Sequence, residues 1–188
     1  MTIAACAELV ERGDPDRFLA AMAAPPAARA RLFPLYAFNL EVARAPWVTA
    51  EPLIAEMRLQ WWRDVVAASE SGAARAHEVA APLHALIREA GLPVAVLDAL
   101  VAARRRDIDP EPWADEAELS AYLADTAGGL MWLSVRALGA ADEAAARDAG
   151  WAMGLAAWFR AAPALAARGR NPLPDDDPQA VAALARQG

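Results

Sequence analysis

Alanine fills this chain from end to end, and runs of alternating β-branched residues are almost lacking. Alanine gives up almost no side-chain entropy in a helix, so the local bias is helical wherever proline does not interrupt it. Apolar residues recur at helical spacing rather than at every second position. The expectation is therefore an all-α, single-domain bundle over residues 1–188, of about eight helices around one core.

The breakers set the boundaries. A first helix covers Ile3 to Arg12, then Asp14 caps a second with Pro15 at its first position. After Pro25-Pro26 a longer helix covers Ala27 to Ala45, with Pro34 as a kink. Thr49 is placed to cap the next, and Leu53, Met57, Gln60/Trp61 and Asp64/Val65 form its stripe before Gly72 ends it. Two more helices are separated at Gly91 and Pro93. Asp115 and Glu118 have capping-box spacing ahead of one helix through "AYLADTAGGLMWLSVRALG". A long helix with a kink at Pro163 follows, and Asp177-Pro178 opens a short last one.

The totals exclude several classes. With 57% apolar and 23% charged residues the chain is not disordered. A net charge of −7 argues against unspecific nucleic-acid binding, which needs a basic face. Cys6 is the one cysteine, and with His77 and His84 it cannot make a disulfide or fill a zinc site. In a fraying first helix it reads as a small apolar filler. The start has no basic segment before an apolar run, and no apolar stretch approaches the roughly 20 residues of a membrane span. A cytoplasmic protein, with peripheral membrane association left open, is the expectation.

Five segments carry a resemblance: "LYAFNLEVARAPW", "RLQWWRDVV", "RRRDIDPEPW", "AYLADTAGGLMWLSVRALG" and "GWAMGLAAWFRAAPALAARGRNPLP". In order and spacing they resemble the squalene/phytoene synthase family, from residue 14 to residue 175. The resemblance implies an isoprenoid-synthase-like helical bundle with a central cavity. In its enzymes two aspartate-rich helices hold magnesium against a substrate diphosphate. The chemistry requires this, because ionising an allylic diphosphate builds charge that magnesium neutralises and carboxylates hold the magnesium.

At the matching places the carboxylates are gone. The first motif, aligned on Tyr36-Ala37-Phe38, has Ala43, Arg44 and Trp47 where three aspartates would stand, and Leu40 for an arginine. The second, aligned on Gly150 and on Gly169-Arg170, keeps Arg160 but has Ala161, Ala164 and Leu165 at the acidic places and Gly154 for a glutamine. A pocket tyrosine of the family falls on Asp125. No catalytic residue, no metal ligand and no cofactor is therefore assigned; magnesium enters only if the chain is an enzyme. The chain also looks short of the family's last helices. It is closer still to a degenerate branch that includes a respiratory complex I assembly factor, which implies an assembly or scaffold role with a protein partner such as a respiratory-complex subunit. Two other readings stay open: a prenyltransferase of squalene or phytoene type, and a protein that binds a prenyl lipid without reacting it.

Cavity-lining or ligand-binding candidates are Tyr36, Asn39, Arg44, Trp47, Asp125, Gly128, Gly129, Trp158 and Arg160. Other features have plainer readings. Gly128-Gly129, with Gly150 and Gly154 on the next helix, favours close helix packing over a ligand wall. Asp175, Asp176 and Asp177 read as a solvated loop with a cap, and "RRRDID" as a solvated helix end. Trp61, Trp132, Trp151 and Trp158 fall on inward faces. Glu56, Gln60 and Asp64 form a surface network with Arg58 and Arg63.

Overall fold

Caps and breakers do set the helix ends in the computed structural model, which describes residues 2–108 and 111–188. Helix α1 (Ile3–Gly13) gives way to α2 (Pro15–Met22), where the Asp14 carboxylate accepts the Arg17 backbone N–H at 3.0 Å. Helix α3 (Pro26–Arg44) runs through Pro34 and tightens into a 3-10 turn, Ala45–Trp47. Helix α4 (Pro52–Ser71) starts on its proline. Thr49 does not cap it; its hydroxyl accepts the N–H of Glu51, the residue at the N-cap position, at 3.1 Å. The His77 ring caps α5 (Ala80–Ala90) by accepting from Val79 N–H at 3.2 Å, and Gly91 ends that helix at φ 60°. Helix α6 (Val94–Ala103) tightens into a 3-10 turn, Arg104–Asp107. Helix α7 (Glu116–Leu123), a π-turn (Ala124–Gly128) and α8 (Gly129–Ala137) follow without a break as one rod, as the sequence suggests. The long α9 (Glu143–Ala166) passes through Pro163, and Asp177 caps α10 (Pro178–Ala185). Among the described residues there is no strand.

The core has two parts. The larger gathers Val10, Leu35, Phe38, Leu59, Trp62, Leu83, Leu97 and Leu133 from α1 and α3 to α8. The smaller holds Trp113, Leu119, Tyr122, Leu123, Leu155 and Leu184, with Trp151 and Trp158 packed against it. Cys6 belongs to the larger part, fully buried rather than on a frayed end, and burial first, then Glu78, pushes its thiol up to about 11. The paired glycines serve packing: a Cβ at Gly150 would lie 2.8 Å from the Gly128 Cα.

The stripe expected on α4 is turned outward over its first half, while Val65 near its end is buried as expected. Leu53 is 72% and Met57 64% exposed, while Ala55, Leu59, Trp62 and Val66 face inward. Both sets recur at helical spacing, so periodicity could not choose between them. The tryptophan at the centre is accordingly Trp62, and Trp61 lies half-buried beside it with ring centroids 4.8 Å apart. The surface network exists with different cations: Arg105 pairs with Glu56 and Arg75 with Asp64. Arg63 instead clamps α4 to α6, gripping both oxygens of Asp98 at 2.6 and 2.8 Å.

Four variants test this packing. Gly150→Ala forces the new Cβ to 2.6 Å from Met131 Cβ and 2.7 Å from the Ala127 carbonyl oxygen, which should cost about 1–3 kcal/mol in urea unfolding. Trp62→Ala should cost about 3–5 kcal/mol, whereas Met57→Gln should stay within about 0.5 kcal/mol. The hydrogen bond and charge of Arg63 hold the Asp98 carboxyl below its ordinary range. Its stability contribution is present above that range and is lost as pH falls through the depressed value. With both side chains about one-third exposed, Asp98→Asn should remove less than about 1 kcal/mol at neutral pH and flatten the acid limb of the stability curve.

Candidate functional site

Where α3, the α7–α8 rod and α9 face one another, the helices leave two adjoining cavities. The larger, of about 620 Å³, is walled by Leu123, Ala127, Leu130 and Met131 from the rod and by Gly150, Gly154 and Ala157 from α9. Tyr36 and Asn39 close it from α3. The smaller, of about 300 Å³, lies between Ala43 and Trp47 at the end of α3 and Ala161 and Leu165 on α9. Arg104, Tyr122, Trp158 and Ala161 belong to both walls.

The shared wall is a buried polar network. Arg104 Nη1 donates to the Tyr122 hydroxyl at 2.5 Å, and that hydroxyl donates to Asp107 Oδ1 at 2.9 Å. Arg104 also pairs with Asp107 at 3.3 Å. Burial opposes the charge on Arg104, but Tyr122 and Asp107 outweigh it and keep its pKa above the usual guanidinium value. The Tyr122 phenol is pushed up by burial, pulled back by Arg104 and raised again by Asp107. It stays a neutral hydroxyl, able to accept from the guanidinium and donate to the carboxylate.

The outer end of the smaller cavity is held by arginines and indoles. The Arg168 and Arg170 guanidinium carbons lie 5.6 and 5.1 Å from the Trp47 ring centroid, and Arg106 lies 4.5 Å from that of Trp113. Trp113 and Trp158 both donate their indole N–H to the Pro172 carbonyl, at 3.1 and 2.6 Å. Arg170 donates to the Asp107 carbonyl at 3.0 Å. The segment after α9 is thereby pinned over the opening.

The structure gathers Tyr36, Asn39, Trp158 and Arg160 around the larger cavity and sets Trp47 in the smaller. Arg44, Asp125, Gly128 and Gly129 line neither cavity. Arg44 is exposed, one residue past Ala43 on the turn away from the opening. Asp125 is exposed on the outer side of the π-turn, and Tyr122, three residues earlier, occupies the wall instead. Gly128 and Gly129 are buried against α9 and α6. "RRRDID" is not a solvated end, since Arg104 and Asp107 are in the buried network and Arg106 pairs with Glu118; Asp109 lies outside the described residues. Arg104, Asp107, Tyr122 and Arg168 line the site without being among the candidates that the sequence offers. For Arg104 and Asp107 the signal is charge a few residues before Trp113 in chain order, which burial turns into a site; Arg168 carries no such local signal.

Among the described residues no three histidines, cysteines, aspartates or glutamates come together as a metal-holding group. Asn39 is buried with its Oδ1 lacking a hydrogen-bond partner. Of the six places where the family motifs would carry acids, 43, 47, 161 and 165 converge on the smaller cavity with Ala, Trp, Ala and Leu.

Comparison with known proteins follows the same lines. Residues 10–186 match the family described as squalene/phytoene synthase. The protein named NADH dehydrogenase (ubiquinone) complex I, assembly factor 6, from Bos taurus is 30% identical over 174 residues, covering 91% of this chain and 52% of its own length. The human protein of that name is 29% identical over the same coverage, and the Drosophila melanogaster homolog is 33% identical over 89% of this chain and 52% of its own. The chain thus spans about half the length of the curated relatives it matches. Among solved structures, a dehydrosqualene synthase in complex with ligand superposes with a TM-score of 0.78 at 18% identity, over 89% of this chain and 59% of the other.

The network should be costly to break. Asp107→Ala leaves the Arg104 charge buried with the phenol alone and should lose about 3–5 kcal/mol in chemical denaturation. Tyr122→Phe removes one hydroxyl and should lose about 1–3 kcal/mol.

Proposed function

The chain belongs to the squalene/phytoene synthase family, and we propose that it keeps the fold without the prenyl-transfer chemistry and acts as an assembly or scaffold protein for a respiratory complex. The observation that carries this is the smaller cavity: the facing positions 43, 47, 161 and 165 bear Ala, Trp, Ala and Leu. Carboxylates there would form the first shell of the metal ions that take up leaving-group charge. Arginines supply the charge instead, and a guanidinium repels magnesium. The names of the assembly-factor relatives support the same reading. The partner is a protein subunit of the complex, met at the cytoplasmic face of a membrane. Among the described residues no helix is long and apolar enough to cross a membrane.

A second reading rests on the larger cavity. Its volume of about 620 Å³ and its Leu123, Leu130 and Met131 wall would accept a prenyl lipid, within the range of about 300–1,000 Å³ usual for ligand sites. A prenyl chain extracted from the purified native protein would favour it.

Two measurements test the scaffold reading. The full-length protein, incubated with farnesyl or geranylgeranyl diphosphate and magnesium, should release no diphosphate above a protein-free control; measurable release sinks the proposal. Deleting it from cells that respire through complex I should lower the assembled complex on native gels, with recovery on re-expression. Unchanged assembly would remove the scaffold role.

A further inference from the structure

The start of α4 turns a set of large apolar side chains to the outside. Leu53, Ile54 and Met57 are all exposed in its first two turns. At spacings of three and four residues they form one patch on the helix surface. Val48 is exposed just before the helix, and the half-buried Trp61 continues the patch one turn on. Large apolar residues gathered on one outer face mark a contact surface, whereas single scattered ones do not.

The charges beside the patch say what it meets. On one edge Glu56 and Asp64 are already paired, with Arg105 and Arg75. On the other edge Glu51, at the N-cap position, and Arg58 are exposed, and among the described residues neither has an ion pair. They stand seven residues apart in sequence, about two turns, so they share that edge with Ile54 between them. A second α4 laid antiparallel, about a two-fold axis passing beside Ile54, puts Arg58 of each copy against Glu51 of the other. Such an axis keeps like edges on the same side, so the pair forms twice. Ile54 then meets its own symmetry mate, with Leu53 and Met57 around it, and Val48 of one copy falls opposite Trp61 of the other. A lipid surface offers no partner to Glu51, and an anionic one would repel it.

We propose that the first turns of α4 are the interface of a two-fold homodimer, closed by Ile54, Leu53 and Met57 and by reciprocal Glu51–Arg58 pairs. This does not depend on the scaffold role, whose test reads assembly of the complex, and either stands if the other falls.

The full chain is followed by sedimentation velocity over a concentration series, and a dimer fraction that rises with concentration is expected. Arg58→Glu sets like charges together twice across the axis and should weaken dimerisation by about tenfold or more. Glu51→Arg should do the same, and the double variant Glu51→Arg/Arg58→Glu should recover most of the loss, because the pair is restored in reverse. Mild oxidation of Ile54→Cys should give a disulfide-linked dimer. Gln60→Cys should not, since the axis sets its two copies about 16 Å apart along the helices. Cys6 is buried, so the parent serves as the blank. All the substituted positions are exposed, so circular dichroism and melting should match the parent and separate lost pairing from lost fold. A monomer at every concentration overturns the proposal. So does a dimer that Arg58→Glu leaves unchanged, a double variant no tighter than the single ones, or cross-linking at Gln60→Cys as ready as at Ile54→Cys. A monomer that co-sediments with phosphatidylcholine vesicles, and no longer does so as Met57→Gln, overturns it in favour of a lipid surface.

Discussion

The Tyr122 hydroxyl sits between a buried cation and a buried anion, and the site is arranged around it. Arg104 and Asp107 are on the turn that ends α6, and Tyr122 is on α7. Their hydrogen bonds therefore fasten the α6 end to the rod that carries the π-turn. The same tyrosine packs edge-on against Trp113 and Trp158, with centroids 5.5 and 5.4 Å away. Trp158 brings in α9, and its indole, with that of Trp113, brings in Pro172 beyond it. One polar contact thus joins the smaller core to the wall between the cavities. Burying such a pair is not free, and its value is geometric: it can be satisfied in one arrangement.

Close approach of the rod and α9 is the second condition. Gly150 lies against Gly128 and Ala127, and a Cβ at Gly154 would come within 2.5 Å of the Ala127 Cβ. The π-turn places an extra residue at this crossing, so that Thr126 turns inward and bonds its hydroxyl to the Tyr122 carbonyl at 2.6 Å. Backbones that touch at one point diverge on either side of it. The cavities occupy that divergence.

Much of the fold was legible in the residues. Asp14, Asp115 and Asp177 cap where a short acidic side chain precedes a helix, because that chemistry is local. What was not legible depends on which of two equivalent faces turns inward. Leu53 and Met57 have the spacing of a core stripe as surely as Leu59 and Trp62 do, and the choice is made by α6 and the 3-10 turn packing on α4. The site divides in the same way. Trp47, Ala161 and Leu165 could be placed by alignment to a motif, and they do share a cavity. Asp125, placed by the same alignment, is exposed on the π-turn, and Tyr122 in the helix before it lines the wall instead. The arginines that line the opening come from two segments more than 50 residues apart in sequence, Arg104 with Arg106 and Arg168 with Arg170, and no short-range pattern connects them.

The arginines also explain why lost carboxylates at 43, 47, 161 and 165 are not a neutral absence. A carboxylate returned to any of these places would face Arg104, Arg168 or Arg170 across the same small cavity. The pair would form a salt bridge, because a resident cation meets the carboxylate before a hydrated magnesium ion can shed water to reach it. The metal would then have to displace a guanidinium as well as its own hydration shell. A metal centre rebuilt here would therefore form only after those salt bridges open.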